Sequence, residues 1–162
     1  MTQLDEIYSI RILEVAGNIP RTERLSSPDA TASAHSKLCG STIAVDLCLD
    51  GDVITDFGQD VKACLLGQAS ASIVAGLIVG SKADELIEVG DVMRKMLKED
   101  GPPPTGKWAD LEILEPVRNF KARHASTLLI FDAVEKAIHE MRGRQSDRDN
   151  LADGRELGSR AV

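Results

Sequence analysis

Cys64 lies in Ala63-Cys64-Leu65-Leu66-Gly67-Gln68-Ala69-Ser70-Ala71-Ser72, where an alternating pattern gives way to small residues and then to Ile73-Val74-Ala75-Gly76-Leu77-Ile78-Val79. This spacing predicts a strand-to-helix junction with the cysteine at the helix mouth. Free N–H groups and a partial positive charge at a helix N-terminus favour a thiolate, the form that binds metal or attacks sulfur. A cysteine in apolar surroundings also serves simply as a small hydrophobe, and position alone leaves both uses open.

The other groups that could do chemistry are fewer. His124 falls on a stripe made by Val117, Phe120, Thr127 with Leu128, Phe131, Val134, Ile138 and Met141, which step by three or four residues. An imidazole there is either a core residue with one ring nitrogen satisfied or a metal ligand. Cys48 shares a strand face with Asp46 and Asp50, opposite the apolar one, and is expected to have no chemical role. His139, among Glu135, Lys136, Glu140 and Arg142, belongs to a solvated face, and His35 lies in a polar stretch expected to be exposed. No nucleophile elbow, no phosphate-cradling glycine pattern after a strand and no solenoid repeat is evident.

The elements that must position these residues are readable from period and punctuation. Leu4 to Val15 predicts a short amphipathic helix, stopped by Gly17-Asn18 and Ile19-Pro20. Arg21 to Ser36 shows no sustained period and is expected to be a loop. Ile43, Val45, Leu47 and Leu49 alternate with polar or small residues as in a half-buried strand. Asp50-Gly51 marks a turn into a partner strand over Val53–Phe57, which continues through Gln59 to Ala63 or bulges at Gly58. After the Cys64 helix, Ser81 and Asp84 form a capping-box-like start to a helix with Leu86, Val89, Met93 and Met96 in its core face, ended by Asp100-Gly101 and three prolines. Gly101 to Lys107 is a surface loop and Trp108 to Leu114 a helical turn. Glu115-Pro116 predicts the entry of the last helix. Beyond Gly143 the chain is polar, mixed in charge and nearly free of apolar residues. The expected division is therefore a domain over residues 1–142 and a disordered tail over residues 143–162.

With 162 residues, 43% hydrophobic and 28% charged, the chain suits one soluble domain. A net charge of -7, from 19 Lys and Arg against 26 Asp and Glu, argues against general nucleic-acid binding. The longest apolar run, Ile73 to Val79, is too short to cross a bilayer. Three cysteines behind a start, Met1-Thr2-Gln3-Leu4-Asp5, that does not read as a signal peptide point to reduced thiols in a cytoplasmic setting rather than a secreted disulfide framework.

Three segments together carry a resemblance: Leu38-Cys39-Gly40 before the hairpin, Ala63 to Ser72 opening a helix, and Phe120-Lys121-Ala122-Arg123-His124-Ala125-Ser126-Thr127-Leu128 before the last helix. They resemble the U-type iron-sulfur cluster assembly scaffolds, the NifU N-terminal, IscU-like and SufU-like group, over roughly residues 4 to 142, with Ala69-Ser70-Ala71-Ser72 the most specific element. The resemblance implies an α+β domain of SufE/NifU-like type, a small antiparallel β-sheet packed against several α-helices. It also implies a non-enzymatic scaffold or carrier that builds a transient [2Fe-2S] cluster or binds iron or zinc, with a cysteine desulfurase as sulfur donor and iron-sulfur acceptor proteins as recipients. Thiolates are soft ligands suited to both metals.

Carried over position by position, Cys39 and Cys64 match the first two family cysteines and His124 matches a histidine of the IscU-like members. The third cysteine is replaced by Ala125, and the aspartate that follows Cys-Gly in the family is replaced by Ser41. Cys39, Cys64 and His124 are thus the implied metal ligands, with water, another protein ligand or a partner's thiolate completing tetrahedral coordination. A zinc-bound sulfur acceptor for a desulfurase is the first alternative. A metal-free interaction protein on the same fold is the second.

Overall fold

The computed structural model describes the backbone of residues 9–38 and 40–161, and side chains of these up to residue 144. Its sheet has three antiparallel strands in the order β1-β2-β3: β1 over Ala30–His35, β2 over Thr42–Asp50 and β3 over Val53–Lys62. Ile43, Val45 and Leu47 of the central strand are fully buried, as the alternation predicts. The Asp50-Gly51 turn joins β2 to β3, and the pairing runs from Asp50↔Val53 to Thr42↔Lys62. The register slips between Cys48 and Leu49, not at Gly58, so β3 continues unbroken through Gly58.

The expected loop over Arg21–Ser36 contains β1, a strand missing from the sequence expectation. Its inward residues are Ala30 and Ala32, both buried, and its outward ones Thr31 and Ser33. The period of two is present, but alanine carries it, and alanine is neither strongly apolar nor a strand former.

Helix α1, Ile10–Ala16, is capped by Ser9, whose hydroxyl accepts from Ile12 N, and ends at Gly17; the predicted start at Leu4 lies outside the described residues. Helix α2, Leu65–Leu77, is buried almost all round, from Leu66 to Ala75, between α1, the sheet and the C-terminal helix. A helix in that position needs small side chains so that neighbours can approach on several sides at once. Its serines bring hydroxyls that find carbonyls close by: Ser70 Oγ donates to Leu66 O and Gly67 O, and Ser72 Oγ to Asn18 O. Gly67 marks the closest approach, since a Cβ there would meet Ala63 Cβ at 2.8 Å and Ser126 O at 3.1 Å.

Helix α3, Ala83–Lys98, places Met93 and Met96 fully in the core, as expected. Its start differs from the prediction. Lys82 is the N-cap residue and its backbone N–H donates to Glu85 Oε1 at 3.4 Å, while Ser81 Oγ turns back to Leu77 O at 2.7 Å. A 3₁₀ segment follows over Gly106–Asn119 and contains Pro116, which therefore does not begin the last helix. The buried residues of this segment are Trp108, Leu111, Leu114 and Val117. Their strict spacing of three aligns them on one face of a three-residue turn, whereas an α-helix would smear them round its axis. The chain then breaks at Phe120 (φ -125°, ψ 79°), makes a short 3₁₀ turn over Lys121–Arg123 and enters helix α4 at His124. Helix α4 runs over His124–Ala161 and packs on α2, α3, β1 and β2. Its backbone thus continues as helix past Gly143, where the sequence places the start of a tail.

Before β1 the chain wraps round the sheet. At Arg21, φ 57°, it turns in the left-handed region; Gln59 N of β3 donates to Arg21 O, and Glu23 O lies where a Cβ on Gly58 would come within 2.3 Å. The next residues bind Asp46, which is the Cα partner of Gly58. Asp46 accepts from Arg24 Nε at 2.6 Å and Nη2 at 2.8 Å, from Leu25 N at 3.0 Å and from Thr31 Oγ1 at 2.6 Å, although it is 1% exposed. The bidentate guanidinium holds this carboxylate at a pKa of about 2, against an ordinary 3.8, with burial opposing and the Thr31 and Leu25 donors assisting.

Because the folded-state pKa is depressed, Asp46 contributes stability that is complete above the unfolded value and is lost as pH falls towards about 2. The shift corresponds to about 2 kcal/mol. Urea unfolding of wild type and Asp46→Asn from about pH 7 to about pH 3 should give a gap of about 2 kcal/mol that narrows to roughly half at the acid end; a pH-independent gap would contradict the ion pair. Two glycines of α2 should respond in opposite directions. Gly67→Ala should destabilise by about 1–3 kcal/mol through overpacking against α4, while Gly76→Ala, with nothing within 4 Å of its would-be Cβ, should stabilise by up to about 1 kcal/mol. Thermal melts of both variants check this.

Candidate metal-binding end

Cys64 is the N-cap residue of α2, with extended backbone (φ -66°, ψ 171°) and a side chain that makes no capping hydrogen bond. The predicted junction is therefore present, although Lys62 ends the strand one residue before Ala63. The half-buried thiol stands at a helix N-terminus whose first turn holds no acidic side chain. Its backbone N–H donates to Ser41 Oγ at 3.2 Å. Ser41 is buried just ahead of β2, and its carbonyl accepts from Ser36 N at 2.8 Å, while Gly40 N donates to Ser36 O at 2.8 Å. These bonds close the β1–β2 connection and fasten it to the mouth of α2. Cys39 falls in this connection by sequence but lies outside the described residues; Leu38 before it is 78% exposed.

The third segment arrives through α4. His124, its first residue, is 7% exposed, as its place on the apolar stripe predicts. Nε2 lies 3.1 Å from both Val117 O and Arg118 O. Two carbonyl oxygens accept, so Nε2 carries the proton and the lone pair is on Nδ1. A histidine that donates one ring N–H to backbone carbonyls and keeps the other nitrogen for a metal is the usual arrangement of metal-ligating imidazoles. The same bond also satisfies a buried histidine with no metal at all. Ala125 beside it is exposed, and Ser126 O is the atom that faces Gly67. Ser41, Cys64 and the start of α4 are thus brought to one end of the molecule. Among the described residues, however, no three His, Cys, Asp or Glu side chains gather closely enough to hold a metal ion.

Beside His124 and Ala125 opens a cavity of about 660 Å³, also lined by Leu97, Lys98, Asp100, Arg118, Asn119 and Lys121. Arg118 Nη2 donates to Gly101 O at 3.0 Å, and its carboxylate neighbours Glu115 and Asp100 lie only at 3.8 and 4.0 Å. Sequence reasoning missed this cavity, because its cations come from the end of α3, the end of the 3₁₀ segment and the turn before α4 and meet only in space. The remaining histidines and Cys48 lie where the sequence places them. Cys48 Sγ lies 3.7 Å from Ser27 O on the strand face away from the core, His35 is exposed, and His139 is exposed with Nε2 3.5 Å from Glu135 Oε1.

No protein-family model matches the chain. Among individual proteins, the zinc-dependent sulfurtransferase SufU of Bacillus subtilis is 25% identical over 140 residues, covering 86% of this chain and 95% of the relative. The iron-sulfur cluster assembly scaffold protein IscU of Thermotoga maritima is 22% identical over 135 residues, covering 83% and 94%. The crystal structure of the N-terminal part of a nitrogen-fixing NifU-like protein from Brucella abortus superposes with a TM-score of 0.86 at 54% identity, over 88% of this chain and 99% of that one. The α+β architecture and the 54% identity to the Brucella structure make the chain a member of the U-type iron-sulfur cluster assembly scaffold family, the NifU-like, IscU-like and SufU-like group.

Proposed function

We propose that the chain is a scaffold and carrier in iron-sulfur cluster assembly, with iron or a transient [2Fe-2S] cluster as its cargo and no catalytic step of its own. The observation that carries this reading is the bond from Cys64 N to Ser41 Oγ, which ties the segment bearing Cys39 to the helix mouth bearing Cys64 in a chain of this family. Cys39 and Cys64 supply thiolates, and His124 supplies Nδ1 while Val117 O and Arg118 O fix its tautomer. Three donors from the chain leave one coordination position to an outside ligand, and a cargo held by an incomplete protein set is suited to release. The sulfur would come from a cysteine desulfurase and the cluster would pass to acceptor proteins, in a reducing cytoplasmic setting. In the domain division that goes with this reading, residues 1–142 form the scaffold and residues 143–162 an appendage outside it.

The name of the Bacillus relative favours a second reading, in which the same residues hold zinc and one thiol accepts sulfur from the desulfurase. Zinc in a site of soft and imidazole donors would orient the accepting thiolate rather than change oxidation state. The chemistry of Ser41 and Ala125 bears on both readings, because neither supplies the ligand its family counterpart does.

Anaerobic reconstitution with ferrous iron and sulfide should give a visible chromophore that is largely lost in Cys39→Ala and in Cys64→Ala and shifted in His124→Ala. A colourless wild-type protein in the presence of an active desulfurase would overturn the scaffold reading. Tightly held zinc together with a desulfurase rate raised by the chain would instead select the sulfur-acceptor reading.

A further inference from the structure

Arg94 and Arg118 are both sheltered, with side chains 27% and 21% exposed, but their surroundings treat them differently. Arg94 is closed by three carboxylates, Asp132 and Glu135 at 2.8 Å and Asp91 at 3.1 Å. Among the described residues Arg118 donates once, from Nη2 to Gly101 O at 3.0 Å. Its Nε is buried without a partner, and the nearest carboxylate oxygens, on Glu115 and Asp100, lie at 3.8 and 4.0 Å, beyond hydrogen-bonding distance. A guanidinium held largely out of water is stabilised by a carboxylate fork, and no side chain around Arg118 supplies one. The same residue lines the cavity of about 660 Å³ at the start of α4. Lys98 and Lys121 line it too, both exposed and neither in an ion pair among the described residues. His124 and Ala125, the first residues of α4, bring the positive end of that helix to the same hollow. Against these stands one carboxylate, Asp100, on a chain of net charge -7. Lys98 has an architectural account, since it stands in the last turn of α3, where a cation is favourable. That accounts neither for Lys121 nor for three cations from separate elements meeting round one hollow.

We propose that this cavity binds a small polycarboxylate, a molecule with two or three carboxylates on a short carbon skeleton. Its volume is within the size range of small-molecule sites, and a hollow encloses such a molecule more fully than it does the convex surface of a folded partner. Several carboxylates suit it better than a single phosphate, because the cations come from three elements disposed round the hollow, whereas a phosphate is held by donors that converge on one tetrahedron. One carboxylate forks onto Arg118, and the others answer Lys98 and Lys121. The binding is non-covalent, involves no metal and does not rest on the scaffold reading.

Calorimetric titration of the metal-free full chain at about pH 7 and low salt, with propane-1,2,3-tricarboxylate as the probe, should show saturable binding. It should be weakened about tenfold or more in Arg118→Gln and in the exposed-site variants Lys98→Gln and Lys121→Gln. Lys136→Gln, about 18 Å further along α4 by helical rise, should bind as the wild type does. Ala125→Glu, which sets a carboxylate of the chain's own at the exposed rim of the cavity, should abolish binding, whereas Ala125→Gln, of the same size without the charge, should retain it. No saturable binding, or binding indifferent to Lys121→Gln in a folded protein, overturns the cavity as the site. A loss in Ala125→Gln as complete as in Ala125→Glu overturns recognition by charge. Inorganic phosphate bound as tightly as the tricarboxylate overturns the carboxylate assignment. A capped triglutamate peptide bound about tenfold or more tightly than the tricarboxylate overturns the small-molecule reading in favour of an acidic segment of a partner protein.

Discussion

The first turn of α2 is held from two sides, and the arrangement of the end that carries Cys64 and His124 follows from that restraint. On one side Cys64 N donates to the buried Ser41 hydroxyl, so the β1–β2 connection cannot drift from the helix mouth without leaving a buried hydroxyl and an N–H to find other partners. On the other, the missing side chain at Gly67 lets the Ser126 carbonyl approach the helix backbone, which fixes where α4 begins. The Cys64 thiol is placed by contacts that do not involve its own side chain, whereas the His124 imidazole is also held through Nε2 by Val117 O and Arg118 O. The exposed position at Ala125 can therefore change without disturbing the frame, whereas the Ser41 hydroxyl is part of it.

The same logic explains the small residues of α2. A helix covered on nearly every side cannot use the usual division into an apolar stripe and a wet face, and large side chains would hold its neighbours apart. Alanine, glycine and serine permit contact, and each serine hydroxyl finds a carbonyl within its own turn or on the adjacent chain. The feature most diagnostic in the sequence is thus a packing solution first. It serves the chemistry by keeping the helix mouth in place.

Much of this was legible in the sequence because the period was carried by strongly apolar residues: Ile43, Val45 and Leu47 announced the central strand, and Met93 and Met96 the core face of α3. Strand β1 was illegible because its inward positions are alanines. The 3₁₀ segment was misjudged because Pro116 mimics a helix entry, although the exact triplet spacing from Trp108 to Val117 held the signal. For the site, Cys64 at a helix mouth could be read from the junction of two periods, and His124 from its stripe. The tautomer of that histidine could not, because it depends on the carbonyls of Val117 and Arg118, which the end of the 3₁₀ segment brings to Nε2. Asp46 looked like one of several polar residues facing water, and only the return of Arg24 and Leu25 across the sheet makes it a buried anion.

That returning segment also decides how the sheet meets other molecules. Strand β3 is the last in its sheet, and an uncovered outer strand invites another chain to extend the ladder. Here Gln59 N is already bonded to Arg21 O near one end, and Ile54 exchanges bonds with Gly80 N and Ser81 O near the other. Extension of the ladder along β3 by another chain is thereby closed off at both ends.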